Sequence, residues 1–154
     1  MAIRNIRYYD DPILRKRCKE VEVINDKIRQ ILDDMLDTLQ QTENGAAIAA
    51  NQIGILKRLV VIDFDDCQLK LVNPVMVDHS GVQECDEACL SFPNRCVKTI
   101  RPQKVTVQAQ NEYGEEIVIT GEGLLAQCFC HELEHLDGEI FLDKAISGSD
   151  TQEL

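Results

Sequence analysis

The chain lacks any apolar run of membrane-spanning length. Its opening residues, Met1-Ala2-Ile3-Arg4-Asn5-Ile6-Arg7, lack the apolar core of a secretion signal. A cytoplasmic protein with no membrane partner is therefore expected. Basic residues are short as well: 16 Lys and Arg stand against 27 Asp and Glu, for a net charge of −11. That balance argues against direct nucleic-acid binding, which needs basic stripes. The cluster Arg4, Arg7, Arg15, Lys16, Arg17 and Lys19 reads as a solvated face. Among seven cysteines there is no C-x-x-C pair, hence no zinc knuckle. Without a secretion signal they read as reduced thiols, mostly small buried hydrophobes, rather than a disulfide framework. Repeats, linkers and low-complexity segments are absent too. Residues 1–154 are read as one domain, long enough for a sizeable core.

Histidine is also scarce, and two of the three histidines fall in His131-Glu132-Leu133-Glu134-His135. The run Gly123-Leu124-Leu125-Ala126-Gln127-Cys128-Phe129-Cys130 before it looks helical. On a helix, residues four apart share a face, so both imidazoles can hold one metal ion with Glu132 beside it as a base. A third ligand has no obvious downstream source. Gly138 is followed by Phe141 where a third histidine would stand, and Leu136 to Leu154 is too short for another packed helix, ending in the polar Ser147-Gly148-Ser149-Asp150. Upstream, the candidates are a cysteine, His79 or a carboxylate. Cys89, in the segment Glu87-Ala88-Cys89-Leu90-Ser91 between two strand candidates, is the choice, because a thiolate in a turn there can reach a helix packed on the sheet. Cys128, one turn before His131, is the rival. Ligands at i, i+3 and i+7 of one straight helix do not easily close on one ion. His79 reads as an exposed residue in a turn. Two histidines and a cysteine leave a position open for water, as a hydrolytic centre requires.

The rest of the chain reads as helices, then strands, then this last helix. Asp10-Asp11-Pro12 marks a helix start, with Pro12 in the first turn. Asn25 to Gln41 is an amphipathic helix with Ile28, Ile31, Leu32, Met35, Leu36 and Leu39 on its core face and Asn25 or Asp26 as cap. Ala46 to Gln52 is a small-residue run with no strand or helix character of its own. From Arg58 to Thr120 the pattern is β, with Asn73-Pro74 as an interruption and Asn111-Glu112-Tyr113-Gly114 as a hairpin loop. The expected fold is α+β, with antiparallel β-sheets packed around a C-terminal metal-binding helix and an N-terminal amphipathic helix.

Three spaced motifs give the chain a resemblance. Gly45 to Gln52, Glu87 to Ser91 and Cys130 to His135 resemble the G-φ-G-φ-A-A-x-Q, E-G-C-φ-S and Q-H-E-φ-D-H motifs of the peptide deformylase family, in the same order. Tyr9 to Leu14 resembles the family's start, so the likeness spans nearly the whole chain. The resemblance implies a metal-dependent amidohydrolase that removes the formyl group from N-formylmethionyl nascent peptides. It implies that Cys89, His131 and His135 hold one divalent ion per chain, natively Fe2+, with Zn2+, Ni2+ or Co2+ as substitutes. Glu132 would be the general base and then acid, and Gln52 with the Leu90 backbone N–H would stabilise the oxyanion. It also implies that Gly45, Ala46, Ala47, Ile48 and Ala88 meet the peptide backbone. Leu124 and Cys128, together with Ile48, would line a slot for methionine. The implied partners are the formyl peptide and, transiently, the ribosome, although no basic C-terminal helix is present; a monomer is expected. Ala47 and Ala88 replace motif glycines, Cys130 a glutamine and Glu134 an aspartate. The two added methyls leave a second reading open, a related hydrolase with a restricted cleft acting on other or smaller N-formyl or N-acyl substrates.

Overall fold

The computed structural model describes residues 2–148 together with Thr151 and Gln152; Ser149 and Asp150 of the polar tail lie outside the described residues. A short 3-10 helix, Pro12–Arg15, opens after Asp11, whose side chain accepts from the Ile13 N–H. The first long helix, α1, spans Asp26–Gln40. Asn25 caps it by accepting from Ile28 N–H at 3.1 Å, satisfying one of the donors that a helix start leaves free. Ile28, Ile31, Leu32, Met35 and Leu39 of the expected core face are buried, Leu36 is half-buried, and Asp34 and Thr38 are buried beside them. Strands follow: β1 (Ala47–Ala49), β2 (Leu59–Phe64), β3 (Cys67–Ser80), β4 (Gln83–Cys89), β5 (Phe92–Arg101), β6 (Lys104–Gln110) and β7 (Glu116–Glu122). Helix α2 spans Leu124–Leu136, and β8 is Thr151–Gln152. All strand pairings are antiparallel, in one sheet of order β1-β2-β3-β6-β7 and another of order β4-β5-β8. Among the described residues no helix is long and apolar enough to cross a membrane, and none of the seven cysteines is paired.

The unbroken apolar run of β2 has a structural cause. Both faces of the larger sheet are covered, so alternate residues go to opposite helices. Val60 and Ile62 join Leu71, Val105, Val107 and Ala109 against Ala126, Phe129 and Leu136 of α2. Leu59 and Val61 join Ile48 and Val72 against Ile28, Ile31, Leu32, Met35 and Leu39 of α1. A third cluster, Leu14, Phe92, Val97, Ile140 and Phe141, closes the smaller sheet over the end of α2. Each of these large side chains contributes roughly 1.5–3 kcal/mol by leaving water, so α2 is fixed from two directions.

Several expectations are revised. Ala46 to Gln52 is not featureless: it forms edge strand β1 and a 3-10 helix, Ala50–Ile53, with β1 in register against Val60–Ile62. Its partner strand lies more than ten residues away, and alanine carries little strand preference, so pairing alone makes the strand. Asn73-Pro74 does not end a strand. Asn73 takes φ +52 at a register shift inside β3, and its side chain clamps Val21, accepting from its N–H at 2.8 Å and donating to its C=O at 2.9 Å. His79 therefore stands in β3, opposite Val105, rather than in a turn. Cys89 closes β4, and the turn is only Leu90-Ser91.

Helix α2 ends on Gly138, at φ +77. The N–H of Glu139 donates to Glu134 O at 2.9 Å and that of Gly138 to His135 O at 3.0 Å, a left-handed cap that satisfies the last carbonyls. Gly138 also presses on Arg15, whose carbonyl oxygen would lie 2.5 Å from any added Cβ. Arg58 reinforces this end, donating to Leu136 O at 3.0 Å and to the Asp137 carboxylate at 2.9 Å, a cation at a helix C-terminus.

Candidate active site

Helix α2 brings one face to the end of β4 and the β1 loop. There, Cys89 Sγ lies 3.2 Å from His135 Nε2, and the ligand atoms of Cys89, His131 and His135 all fall within 4.8 Å of one another. The two imidazoles are 5.0 Å apart at 60°. His131 is turned by Glu87, whose Oε1 lies 2.9 Å from Nδ1, leaving Nε2 for the centre. Asn51 Nδ2 donates to the His135 carbonyl at 2.6 Å and ties the β1 loop to the helix. His79 is remote from this group, exposed on β3. Cys128 is buried on α2 and takes no place among the three ligand atoms.

The donor set fits a divalent transition metal: one thiol and two imidazole nitrogens, at the separation a single ion spans. A second observation agrees. The buried side-chain atoms without a hydrogen-bond partner among the described residues are Glu132 Oε1, on a residue lining the cleft, His135 Nδ1, on a ligand ring, and Asn51 Oδ1, on the residue tied to the His135 carbonyl. In a folded interior such atoms are rare and collect where a site has work to do.

Charge at the centre is set by burial. Glu132, 4% exposed, has its carboxyl pushed up to about 7 by desolvation, with Glu87 and Glu134 adding to the rise and His131 opposing it. A carboxyl near neutrality can both take and return a proton at cellular pH. Burial also drives His135 well below an ordinary imidazole, and His131 adds to the effect. For His131 burial works the same way, but Glu132, Cys89 and Glu87 outweigh it and hold the ring well above the usual value. Glu87 is fully buried, which would raise its carboxyl, yet hydrogen bonds with His131 and Arg101 bring it down to about 2. Arg101 meets Glu87 through Nε at 2.5 Å and Nη2 at 2.9 Å, and grips Glu134 at 2.7 and 2.9 Å; Thr99 also donates to Glu87. Glu134, off the metal face, thus closes an acid-base-acid chain behind His131.

Gln52 is held in one orientation. Its Oε1 accepts from the Ala49 N–H at 2.9 Å, which turns Nε2 toward Ser91 Oγ at 3.1 Å and Cys89 Sγ at 3.5 Å. A cleft of about 330 Å³ opens over the centre. Gly45, Ala46, Ala47, Ala88, Leu90, Leu124 and Cys128 of the anticipated residues line it, with Gln52, His131 and Glu132. Ile48 does not. It is fully buried in the cluster facing α1, because strand alternation sends Ala47 and Ala49 to one side of β1 and Ile48 to the other. Its side chain therefore takes no part in a methionine slot, while its backbone stays on edge strand β1. Asn44 and Gln127 line the cleft without having been anticipated. Ala47 does not take a positive φ, so the alanine in place of glycine adds a methyl and no backbone strain. Gly45 is different: a Cβ there would lie 2.8 Å from Leu39 Cδ1, so the loop needs its glycine for space.

Arg101, Thr99, Asn51 and Arg58 were not among the anticipated residues. Glu87 was legible only as a motif position; its place two residues before Cys89 on the same strand was the available signal.

A cysteine and two histidines beside a buried carboxyl, on an antiparallel α+β frame, define a metal-dependent hydrolase. The comparisons narrow the class. The profile of the family described as Polypeptide deformylase matches residues 3–151. Peptide deformylase 2 of Clostridium acetobutylicum is 64% identical over 143 residues, 93% of this chain and 95% of that protein. The crystal structure of a peptide deformylase from Legionella pneumophila superposes with a TM-score of 0.90 at 41% identity, covering 95% of this chain and 88% of that one. A peptide deformylase from Synechococcus elongatus in complex with actinonin gives 0.89 at 36% identity, covering 94% and 79%. The chain belongs to the polypeptide deformylase family.

Proposed function

We propose that this centre removes the formyl group from N-formylmethionyl peptides with Cys89, His131 and His135 as ligands, Glu132 as base and then acid, and Gln52 with the Leu90 N–H as oxyanion donors. The observation that carries the reading is the convergence of the three ligand atoms within 4.8 Å next to a buried, unpartnered carboxylate oxygen. A bound divalent ion supplies Lewis acidity to the water and to the formyl oxygen. Ferrous iron is the native ion in this reading, with zinc, nickel or cobalt as substitutes; a thiolate and two imidazoles suit all four.

The residues divide the work by position. Glu132 takes a proton from the attacking water as the new C–O bond forms. The formyl oxygen gains charge, and Gln52 Nε2, already oriented by Ala49, donates to it. Such a donor is worth on the order of 3 kcal/mol of barrier. Glu132 then returns the proton to the amine nitrogen as the C–N bond breaks, so formate carries away the water oxygen and a free α-amine remains. The peptide lies along β1, whose outer edge ends the larger sheet beside the cleft, and adds to it as a further strand. Leu124 and Cys128 bound the methionine slot. The enzyme acts in the cytoplasm as a monomer, in transient contact with the ribosome where its substrate emerges. A different or smaller acyl substrate is not favoured, because the relatives that match nearly the whole chain are peptide deformylases and neither Ala47 nor Ala88 distorts the backbone.

Formate release from formyl-Met-Ala-Ser, measured anaerobically with iron or nickel supplied, tests the reaction. Glu132→Gln should retain metal and fold and lose nearly all turnover. A wild-type rate from that variant would remove Glu132 from its role.

A further inference from the structure

On the opposite side of α2 lies a second cleft, of about 600 Å³, that the reaction does not use. Its floor is the helix face carrying Leu133, Glu134 and Asp137, and its walls come from β3 and β5. Two features set its chemistry. The first is an apolar wall: Val75, Met76 and Ile100 are 49%, 37% and 53% exposed and border the cleft with Leu133. The second is charge. Arg17, Arg58, Arg101 and Lys144 line the cleft with Glu134 and Asp137, and Glu87 stands behind Arg101 as a second carboxylate on its guanidinium, so the cation left over at the rim is Arg17. Those carboxylates are already committed to Arg101 and Arg58. Lys144 reaches only Glu139, at 3.7 Å, and Arg17 has no ion pair among the described residues.

We infer that this cleft is a second ligand site, taking an amphipathic monocarboxylate whose apolar chain lies on Met76, Ile100 and Leu133 and whose carboxylate meets Arg17 at the rim. Pockets of this size with an apolar lining and a few placed polar groups are the usual form of a small-molecule site. A carboxylate supplies Arg17 with a counter-charge that a neutral apolar ligand does not, and an ammonium would be repelled by the guanidinium. The floor also places the site next to the catalytic centre. Arg101, which borders the cleft, is the residue that holds Glu87 on His131.

Methionine methyl groups give a direct readout in the metal-loaded enzyme. The chain has three methionines. Met76 borders the cleft, whereas Met35 is fully buried on the core face of α1 and serves as an internal control. With 13C-methyl methionine, octanoate should move the Met76 resonance saturably and leave Met35 in place. The assignment is made by loss of the signal in Met76→Leu. Arg17→Ala should weaken octanoate at least fivefold with formate release unchanged, and 1-octanol should shift Met76 far less. The carboxylate could come from a fatty acid or from the C-terminus of an apolar peptide. Octanoate and N-acetyl-Val-Leu carry the same chemistry from these two sources, and whichever saturates Met76 at the lower concentration names the source. Silence from both, equal shifts by octanol, or unchanged affinity in Arg17→Ala would overturn the inference. So would octanoate competing with formyl peptide over the range that titrates Met76, since that places the anion in the catalytic cleft.

Discussion

Replacing Glu87 by Gln isolates the carboxylate behind His131. The side chain keeps its size and can still accept from Nδ1, but the charge between Arg101 and the imidazole is gone. Folding lowers the Glu87 carboxyl from 4.5 to about 2. At 1.36 kcal/mol per unit, that difference corresponds to about 3 kcal/mol of stabilisation. Breaking a buried ion pair by removing one partner typically costs 3–5 kcal/mol, which agrees. For a domain of this size the loss should lower Tm by about 6–12 °C at pH 7. The sign with pH follows from the direction of the shift. Because the folded value lies below the unfolded one, the stabilisation is complete above about 4.5 and disappears as pH falls toward 2. The gap in Tm between wild type and variant should therefore be constant from pH 6 to 8 and shrink steadily below pH 5. Metal affinity, read by competition with a chelator, should fall about 10–100-fold, since a second partner of a ligating histidine has been altered. Equal melting temperatures at pH 7, or a gap that persists undiminished at pH 3, would refute the reasoning.

Cys89→Ala should lose metal and activity together, while Cys128→Ala should keep the metal; metal content by mass spectrometry decides, and the reverse pattern would sink the ligand assignment. Ala47→Gly combined with Ala88→Gly should lower KM for peptides with nearly unchanged kcat, because the removed methyls border the cleft and not the reacting atoms; an overpacked contact typically costs ~1–3 kcal/mol. A changed kcat with constant KM would count against it. Gly138→Ala should destabilise the fold by about 2–4 kcal/mol in urea unfolding, combining a left-handed alanine with a contact against Arg15 O. An unchanged midpoint would show that neither strain nor clash is present.

Local patterns carried the helices and the central strand into view. The stripe of α1 and the run Leu59-Val60-Val61-Ile62 each declare their environment within a few residues. The His131 and His135 pair is legible for the same reason, since helical spacing alone puts both rings on one face. What was hidden depends on partners far away in the chain. Ala47–Ala49 becomes a strand only through β2, and reading the segment as shapeless is what put the Ile48 side chain in the cleft. Arg101 has no sequence mark distinguishing it from other arginines. Its role comes from a hairpin that carries it to Glu87 and from a helix that brings Glu134 to the same guanidinium. Asn51 and Arg58 likewise act on α2 from elements more than seventy residues earlier.

The crowding around α2 bears on how this sequence can drift. Of its thirteen residues, only Leu124 is exposed, and that by about half. One side of the helix is occupied by chemistry and another by the sheet, and the remaining side borders the second cleft. Cys130 and Glu134, the two places where this helix departs from the family motif, both stand on that side. Neither place is idle: Cys130 is buried in the cluster that packs on the sheet, and Glu134 grips the Arg101 that holds Glu87 on His131. The same wall is where two deformylases with identical catalytic groups can come to differ in what else they respond to.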